Sequence, residues 1–125
     1  RFTPEPALAI ARGIASAAAH LHGRGILHGD LYAHNILHCG QGRVLLGDFG
    51  AASCVPPHDP QAADALQRIE VRAFGCLLEE LVAACIDADR ASPALQLLTA
   101  LQARCLADSP ASRPLFAEVV QALAG

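Results

Sequence analysis

Three polar residues in one stretch of this sequence have types and spacings that do chemistry: Asp30, Asn35 and Asp48. Asp30 and Asn35 lie five positions apart in a segment that interrupts two apolar runs. Ile36–Cys39 and Arg43–Leu46 read as two short strands joined at Gly40-Gln41-Gly42, with glycines where a tight turn needs them. A hairpin folds back on itself, so Asp48 beyond its second strand returns beside Asn35 ahead of its first. Two carboxylates and an amide oxygen then converge, a donor set that suits a hard, oxygen-seeking cation such as magnesium. In that arrangement Asp48 is the charged ligand and Asn35 a neutral one. Asp30 is left free to accept a proton from a hydroxyl.

Several elements must hold that stretch in place. Thr3-Pro4-Glu5-Pro6 reads as a helix start, with a capping hydroxyl, prolines in the first turn and an acid near the positive dipole end. Leu8, Ala11, Ile14, Ala15, Ala18 and Leu21 follow at helical spacing, and Gly23 and Gly25 end the helix. Phe74, Leu77, Leu78, Leu81, Val82 and Cys85 mark the broad apolar face of a buried helix predicted over 70–85. Ser92-Pro93 caps another helix, with Leu97, Leu98, Leu101 and Cys105 on one face, and Leu115, Phe116, Val119, Val120 and Leu123 form a final amphipathic one. The segment after Gly50, Ala-Ala-Ser-Cys-Val-Pro-Pro-His-Asp-Pro, has no periodicity and reads as a surface loop. The expected fold class is mainly α with one small β-hairpin.

At 125 residues the chain is one domain's length at most. Its 53% hydrophobic content, with 4% aromatic, fits helix-rich globular packing. A net charge of −3 gives nucleic-acid binding no electrostatic support. No apolar run reaches membrane-spanning length without a charge, so no membrane partner is expected. The five cysteines, 39, 54, 76, 85 and 105, show no metal-ligand spacing. Four sit inside apolar runs as expected reduced core residues, which favours a cytoplasmic location, while Cys54 is expected as an inert thiol on an exposed loop. His20, His22, His28, His34 and His38 crowd one region, but their spacings fit no standard zinc pattern. Glu79 and Glu80 read as the solvent face of their helix. The sequence contains no methionine, so a piece from the middle of a larger protein is expected.

The central stretch resembles the catalytic core of protein kinases, whose pattern is H-R-D-L-x-x-x-N, a hairpin, then D-F-G. His28, Asp30, Leu31, Asn35, Asp48, Phe49 and Gly50 match in order and spacing. Glu-Val-Arg-Ala-Phe-Gly-Cys-Leu-Leu-Glu-Glu-Leu from Glu70 resembles the family's D-V-W-S-F-G-x-L-L-x-E-L. Arg104-Cys105-Leu106 with Asp108-Ser109-Pro110-Ala111-Ser112-Arg113-Pro114 resembles its closing R-C-L-x-x-D-P-x-x-R-P. The resemblance implies a kinase-like C-lobe over residues 1–125, one half of a two-lobed α+β fold whose N-lobe lies outside this sequence. It implies Asp30 as catalytic base, and Asn35 and Asp48 as the residues that hold magnesium against ATP. It also implies structural support from His28, Phe49, Gly50, Glu70 and Arg113, with Glu70 in place of the aspartate that holds the catalytic-loop backbone.

Some positions depart from the family. No glycine-rich loop, strand lysine or partner glutamate is present, so the expected partner is a missing N-lobe, and the isolated chain is expected to be inactive. It is also expected to expose an apolar patch where that lobe would pack. Gly29 replaces the arginine that pairs with a phosphorylated activation loop, and Tyr32 replaces the lysine of serine/threonine kinases. The activation segment is short and lacks Ala-Pro-Glu, so Arg113 is left to find an acid such as Glu70 or to cap a helix end. The expected function is transfer of the ATP γ-phosphate to a protein hydroxyl, serine or threonine before tyrosine. Tyr32 and the short segment favour a pseudokinase-like binding module instead. The H-G-D-x-x-x-x-N loop is shared with small-molecule phosphotransferases of the aminoglycoside or choline kinase type. Phe74-Gly75 and Arg113-Pro114 argue against the last, and the intact Asp30, Asn35 and Asp48 argue against the second.

Overall fold

The computed structural model describes residues 4–28, 36–39, 43–46, 53–54, 58–85 and 92–124. The first helix, α1, spans Pro4–Gly23. Its alanines at 7, 11, 15 and 18 are buried with Leu8, Ile10 and Ile14, a small-residue face that lets neighbouring backbones come close. The helix is closed by N–H groups of Arg24 and Gly25, which donate to the carbonyls of Leu21 and His22 at 3.0 Å. Gly25 has φ of 73°, the left-handed conformation that a helix exit commonly assigns to glycine. That turn releases the chain into strand β1, Ile26–Leu27, and so delivers His28.

Helix α2 runs Pro60–Ala84, ten residues earlier than the helix expected to begin at Glu70. Its start signal lies in residues that looked like loop. The Asp59 carboxylate accepts from the Ala62 N–H at 3.1 Å, and Pro60 occupies the first turn, where a missing N–H costs nothing. Helix α3, Pro93–Cys105, is capped as the sequence indicates, with Ser92 Oγ accepting from the Leu95 N–H at 3.5 Å. A short 3-10 turn, Pro110–Ser112, leads into α4, Phe116–Ala124, whose first turn closes with Glu118 Oε1 accepting from the Leu115 N–H at 3.3 Å.

A hydrophobic core joins the four described α-helices. Helix α2 lies against α3, and α1 against α4, with α1 also meeting α2 and α3. The fully enclosed Phe74 and Phe116 meet edge to face, with centroids 5.4 Å apart and ring planes 70° apart. Such a pair adds roughly 0.5–1.5 kcal/mol to its area burial. Between α2 and α3 the approach is set by Gly75. A Cβ there would sit 2.9 Å from Cys105 Cβ and from Cγ and Cδ2 of Leu106. At the far end of the bundle, Arg12 Nε donates to the Leu123 carbonyl at 2.6 Å, placing a cation at the negative end of α4.

Among the described residues the strands form two separate two-stranded sheets. Strands β2, Ile36–Cys39, and β3, Arg43–Leu46, make the expected antiparallel hairpin, with Ile36 opposite Leu46 and Cys39 opposite Arg43. Strand β3 lies against α1. The second sheet corrects the surface-loop expectation. Ser53–Cys54 is a strand, β4, antiparallel to β1, with Ile26 opposite Cys54 and Leu27 opposite Ser53. Two-residue strands are too short for periodicity to reveal, and their pairing joins positions far apart in sequence. Cys54 therefore belongs to a sheet.

Glu79 and Glu80 are exposed, as expected for a helix's solvent face. Cys85 and Cys105 are buried free thiols and Cys76 is half-buried. Burial pushes the Cys105 thiol up to about 12, against the opposing pull of Arg104, and it also pushes Cys85 up. Both thiols stay protonated near neutral pH and are poor nucleophiles. Among the described residues no helix is long and apolar enough to cross a membrane.

The Gly75 contact is testable. Gly75→Ala is expected to destabilise the fold by about 1–3 kcal/mol in denaturant unfolding, the usual cost of overpacking. Gly23→Ala, where an added Cβ meets nothing within 4 Å, should be neutral or slightly stabilising. Equal midpoints for the Gly75→Ala variant and the unsubstituted protein would contradict the close approach.

Candidate active site

The site is built outward from α2. Its Val71, Phe74 and Leu78 are in the core, so the helix is immobilised around Glu70, which is only 7% exposed. A carboxylate removed from water must be paired or hydrogen-bonded. Glu70 Oε1 accepts from the backbone N–H of His28 at 3.0 Å and lies 2.7 Å from His22 Nε2. One oxygen thus joins three places: the middle of α2, the last turn of α1 and the residue just past β1. His28 itself is 1% exposed. The His22 ring stands edge-on to Phe116, centroids 5.1 Å apart at 71°, and Phe116 rests on Phe74.

Asp30, Asn35, Asp48, Phe49 and Gly50 lie outside the described residues, as do Gly29 and Tyr32. The structure describes the frame on either side of them. His28 is fixed to Glu70 two residues before Asp30. Ile36 opposite Leu46 closes the open end of the hairpin. Asn35 adjoins that end in sequence, and Asp48 follows it by two residues. Leu27 opposite Ser53 ties the chain ahead of the loop to the chain beyond Gly50. Carboxylate and amide oxygens suit magnesium and suit zinc poorly. Among the described residues no group of three or more His, Cys, Asp or Glu is arranged to hold a metal.

Arg113, 6% exposed, resolves the alternatives left open for it. Its guanidinium donates to backbone carbonyls: Nε to Ala107 at 2.9 Å, Nη1 to Arg68 at 3.3 Å and Nη2 to Asp108 at 3.4 Å. It therefore serves the helix-end role, drawing the exit of α3 onto α2. Arg68 reciprocates, with Nη1 donating to the Arg113 carbonyl and Nε held by Asp64 Oδ2 at 2.7 Å. Neither Arg68 nor the His22 contact with Glu70 is anticipated from the sequence. The four-residue spacing of Asp64 and Arg68 signals the ion pair once α2 is known to begin at Pro60. Nothing in the sequence alone brings His22 to Glu70.

The family pattern for protein tyrosine and serine/threonine kinases matches residues 1–75. The chain belongs to this kinase family. Serine/threonine-protein kinase PrkC of Bacillus subtilis is 30% identical over 118 residues, covering 80% of this chain and 18% of its own length. Human 3-phosphoinositide-dependent protein kinase 1 is 32% identical over 89 residues, covering 56% of this chain and 16% of its own length. The chain thus spans less than a fifth of either kinase. Among solved structures, one has a TM-score of 0.75 at 21% identity, covering 92% of this chain and 41% of its own. It is described as a divergent kinase lacking the glycine-rich loop that regulates membrane ultrastructure of the Toxoplasma parasitophorous vacuole. The kinase fold is therefore shared along nearly the whole chain, and the kinase pattern covers both Asp30 and Asp48.

Loss of the Arg113 guanidinium would leave the carbonyls of Ala107, Asp108 and Arg68 without it. Arg113→Ala is expected to cost about 1–3 kcal/mol in urea unfolding. Arg113→Lys should recover little, because a single ammonium lacks the planar fork that spans separated acceptors. A lysine variant as stable as the parent would show that charge alone suffices.

Proposed function

We propose that this chain supplies the C-terminal lobe of a protein kinase that transfers the γ-phosphate of ATP to a protein hydroxyl, serine or threonine before tyrosine. The observation that carries the proposal is the buried Glu70 carboxylate on the His28 N–H, which anchors the chain two residues ahead of Asp30. It occurs in a chain whose residues 1–75 match the kinase family. Magnesium-bound ATP supplies the phosphoryl group and the cation that neutralises its charge. Asp30 orients the acceptor hydroxyl and takes its proton. Asn35 and Asp48 present the oxygens that hold the metal. The nucleotide's other contacts come from an N-lobe, the partner this lobe requires.

The departures shape the expected behaviour. With Gly29 in place of arginine, this route for an activation-loop phosphate to reach the catalytic loop is lost. Tyr32 brings a hydroxyl but no charge to the position of the usual lysine, so transfer is slow unless another cation compensates. These residues favour a second reading, a pseudokinase-like module that binds without transferring phosphate.

Asp30→Asn and Asp48→Asn separate the two in protein carrying an N-lobe. Asp30→Asn should lower turnover by about 10²–10⁴-fold, the usual worth of a positioned general base, and leave magnesium-nucleotide affinity nearly unchanged. Asp48→Asn should instead weaken magnesium-dependent nucleotide binding. A measurable turnover unaffected by Asp30→Asn would remove the catalytic assignment. Magnesium-ATP binding with no transfer at all would establish the pseudokinase reading.

A further inference from the structure

Arg113 is a buried cation that meets only neutral groups. Its guanidinium donates to three backbone carbonyls, and among the described residues no carboxylate comes within salt-bridge distance of it. Neighbouring Arg68 has Asp64 Oδ2 at 2.7 Å. Among the described residues, then, two guanidiniums that exchange backbone hydrogen bonds share one carboxylate. A charge removed from water is costly unless an opposite charge answers it. We infer that Ser109 is a phosphorylation site whose phosphate supplies Arg113 with that counter-charge.

Place, availability and sequence single out Ser109. Nη2 of Arg113 donates to the Asp108 carbonyl at 3.4 Å, and one peptide bond joins that carbonyl to Ser109. A bond of that length is readily exchanged for a shorter, charge-assisted one to a phosphate oxygen. Ser109 is exposed, and its hydroxyl makes no capping bond to the short turn that follows. Its backbone is extended, with φ of −80° and ψ of 121°, a conformation that Pro110 enforces and that suits entry into an enzyme's cleft. Laid from Arg104, the closing pattern R-C-L-x-x-D-P-x-x-R-P puts the family's aspartate at position 109. A phosphate there returns negative charge to a place from which serine has removed it.

The donor is ATP bound to a separate, proline-directed serine/threonine kinase. Ser109 Oγ attacks the γ-phosphorus, and the new O–P bond forms as the bond from that phosphorus to the β,γ-bridging oxygen breaks. The hydroxyl proton passes to that enzyme's base and ADP leaves with the electron pair. The product carries a charge of about −1.5 to −2 at neutral pH and three strong acceptor oxygens. Asp108 opposes it, but that side chain is exposed and screened by solvent, whereas the guanidinium of Arg113 is buried. Ser92-Pro93 offers the same dipeptide, yet Ser92 is half-buried and its Oγ already accepts from the Leu95 N–H. Ser109 is therefore the preferred acceptor of the two.

The inference does not depend on phosphate transfer by this chain itself. The full-length protein is incubated with a proline-directed serine/threonine kinase and magnesium-ATP, and the phosphate is located by peptide mass spectrometry. Ser109 should be modified ahead of Ser92. In urea unfolding the phosphate should raise the ratio of folded to unfolded protein by about tenfold, the weight of one hydrogen bond to a charged group. That gain should vanish in Arg113→Gln, which keeps a donor and loses the charge. Phosphorus NMR gives a reading that needs no variant. The phosphate should lose its second proton at lower pH in the folded protein than in the same protein unfolded in urea, because a nearby guanidinium favours the dianion. The inference is overturned if Ser109 takes no phosphate, if Ser92 is preferred, or if the phosphate leaves the folded ratio unchanged or lowers it. It is equally overturned if the phosphate titrates alike in folded and unfolded protein, or if Arg113→Gln keeps the full gain.

Discussion

A buried carboxylate oxygen connects the folded core to the start of the stretch proposed to carry the chemistry. Glu70 Oε1 takes the His28 N–H from one side and faces His22 Nε2 on the other. Burying a charge is costly unless it is answered locally, and among the described residues α1 and the backbone just past β1 supply answering groups. Neither contact forms until α1 and α2 have packed. The start of the loop is therefore placed by tertiary structure, and local propensity has little to do with it.

That placement is only as good as the rigidity of α2. Two contacts supply it from the α3 side. Gly75 removes the side chain that would hold α2 and α3 apart. Arg113 then draws the exit of α3 onto the Arg68 carbonyl, while Arg68 donates back to Arg113. Toward α1, Phe74 packs edge to face on Phe116 of α4, which in turn meets the His22 ring edge-on. These contacts give physical content to the Phe-Gly and Arg-Pro motifs, which lie outside the stretch proposed as catalytic.

Much of this was legible in the sequence where the signal is local. Helix α1 with its glycine exit, the hairpin bounded by Ile36 and Leu46, and the Ser92-Pro93 cap all depend on residues close together in sequence. Glu70 was legible through its motif, since the surrounding residues repeat a kinase helix. The early turns of α2 were hidden because Pro56, Pro57 and Pro60 made the whole stretch look like loop, although Asp59-Pro60 is also a helix start. Strands β1 and β4 are too short to leave a pattern. His22 was hidden for a different reason: its partner is on another helix, and only the assembled fold brings the two together.

Membership of the kinase family rests on the match over residues 1–75, and phosphate transfer is the proposed use of this framework. The most direct measurement is the turnover number of the N-lobe-bearing protein with and without Glu70→Ala, corrected for folded fraction by an unfolding curve on the same samples. If the carboxylate locates the catalytic loop, kcat per folded molecule falls by at least about tenfold, since misplacement of a catalytic group is felt mainly in the chemical step. An unchanged kcat per folded molecule would show that the loop finds its place without Glu70, contradicting the link from core to chemistry.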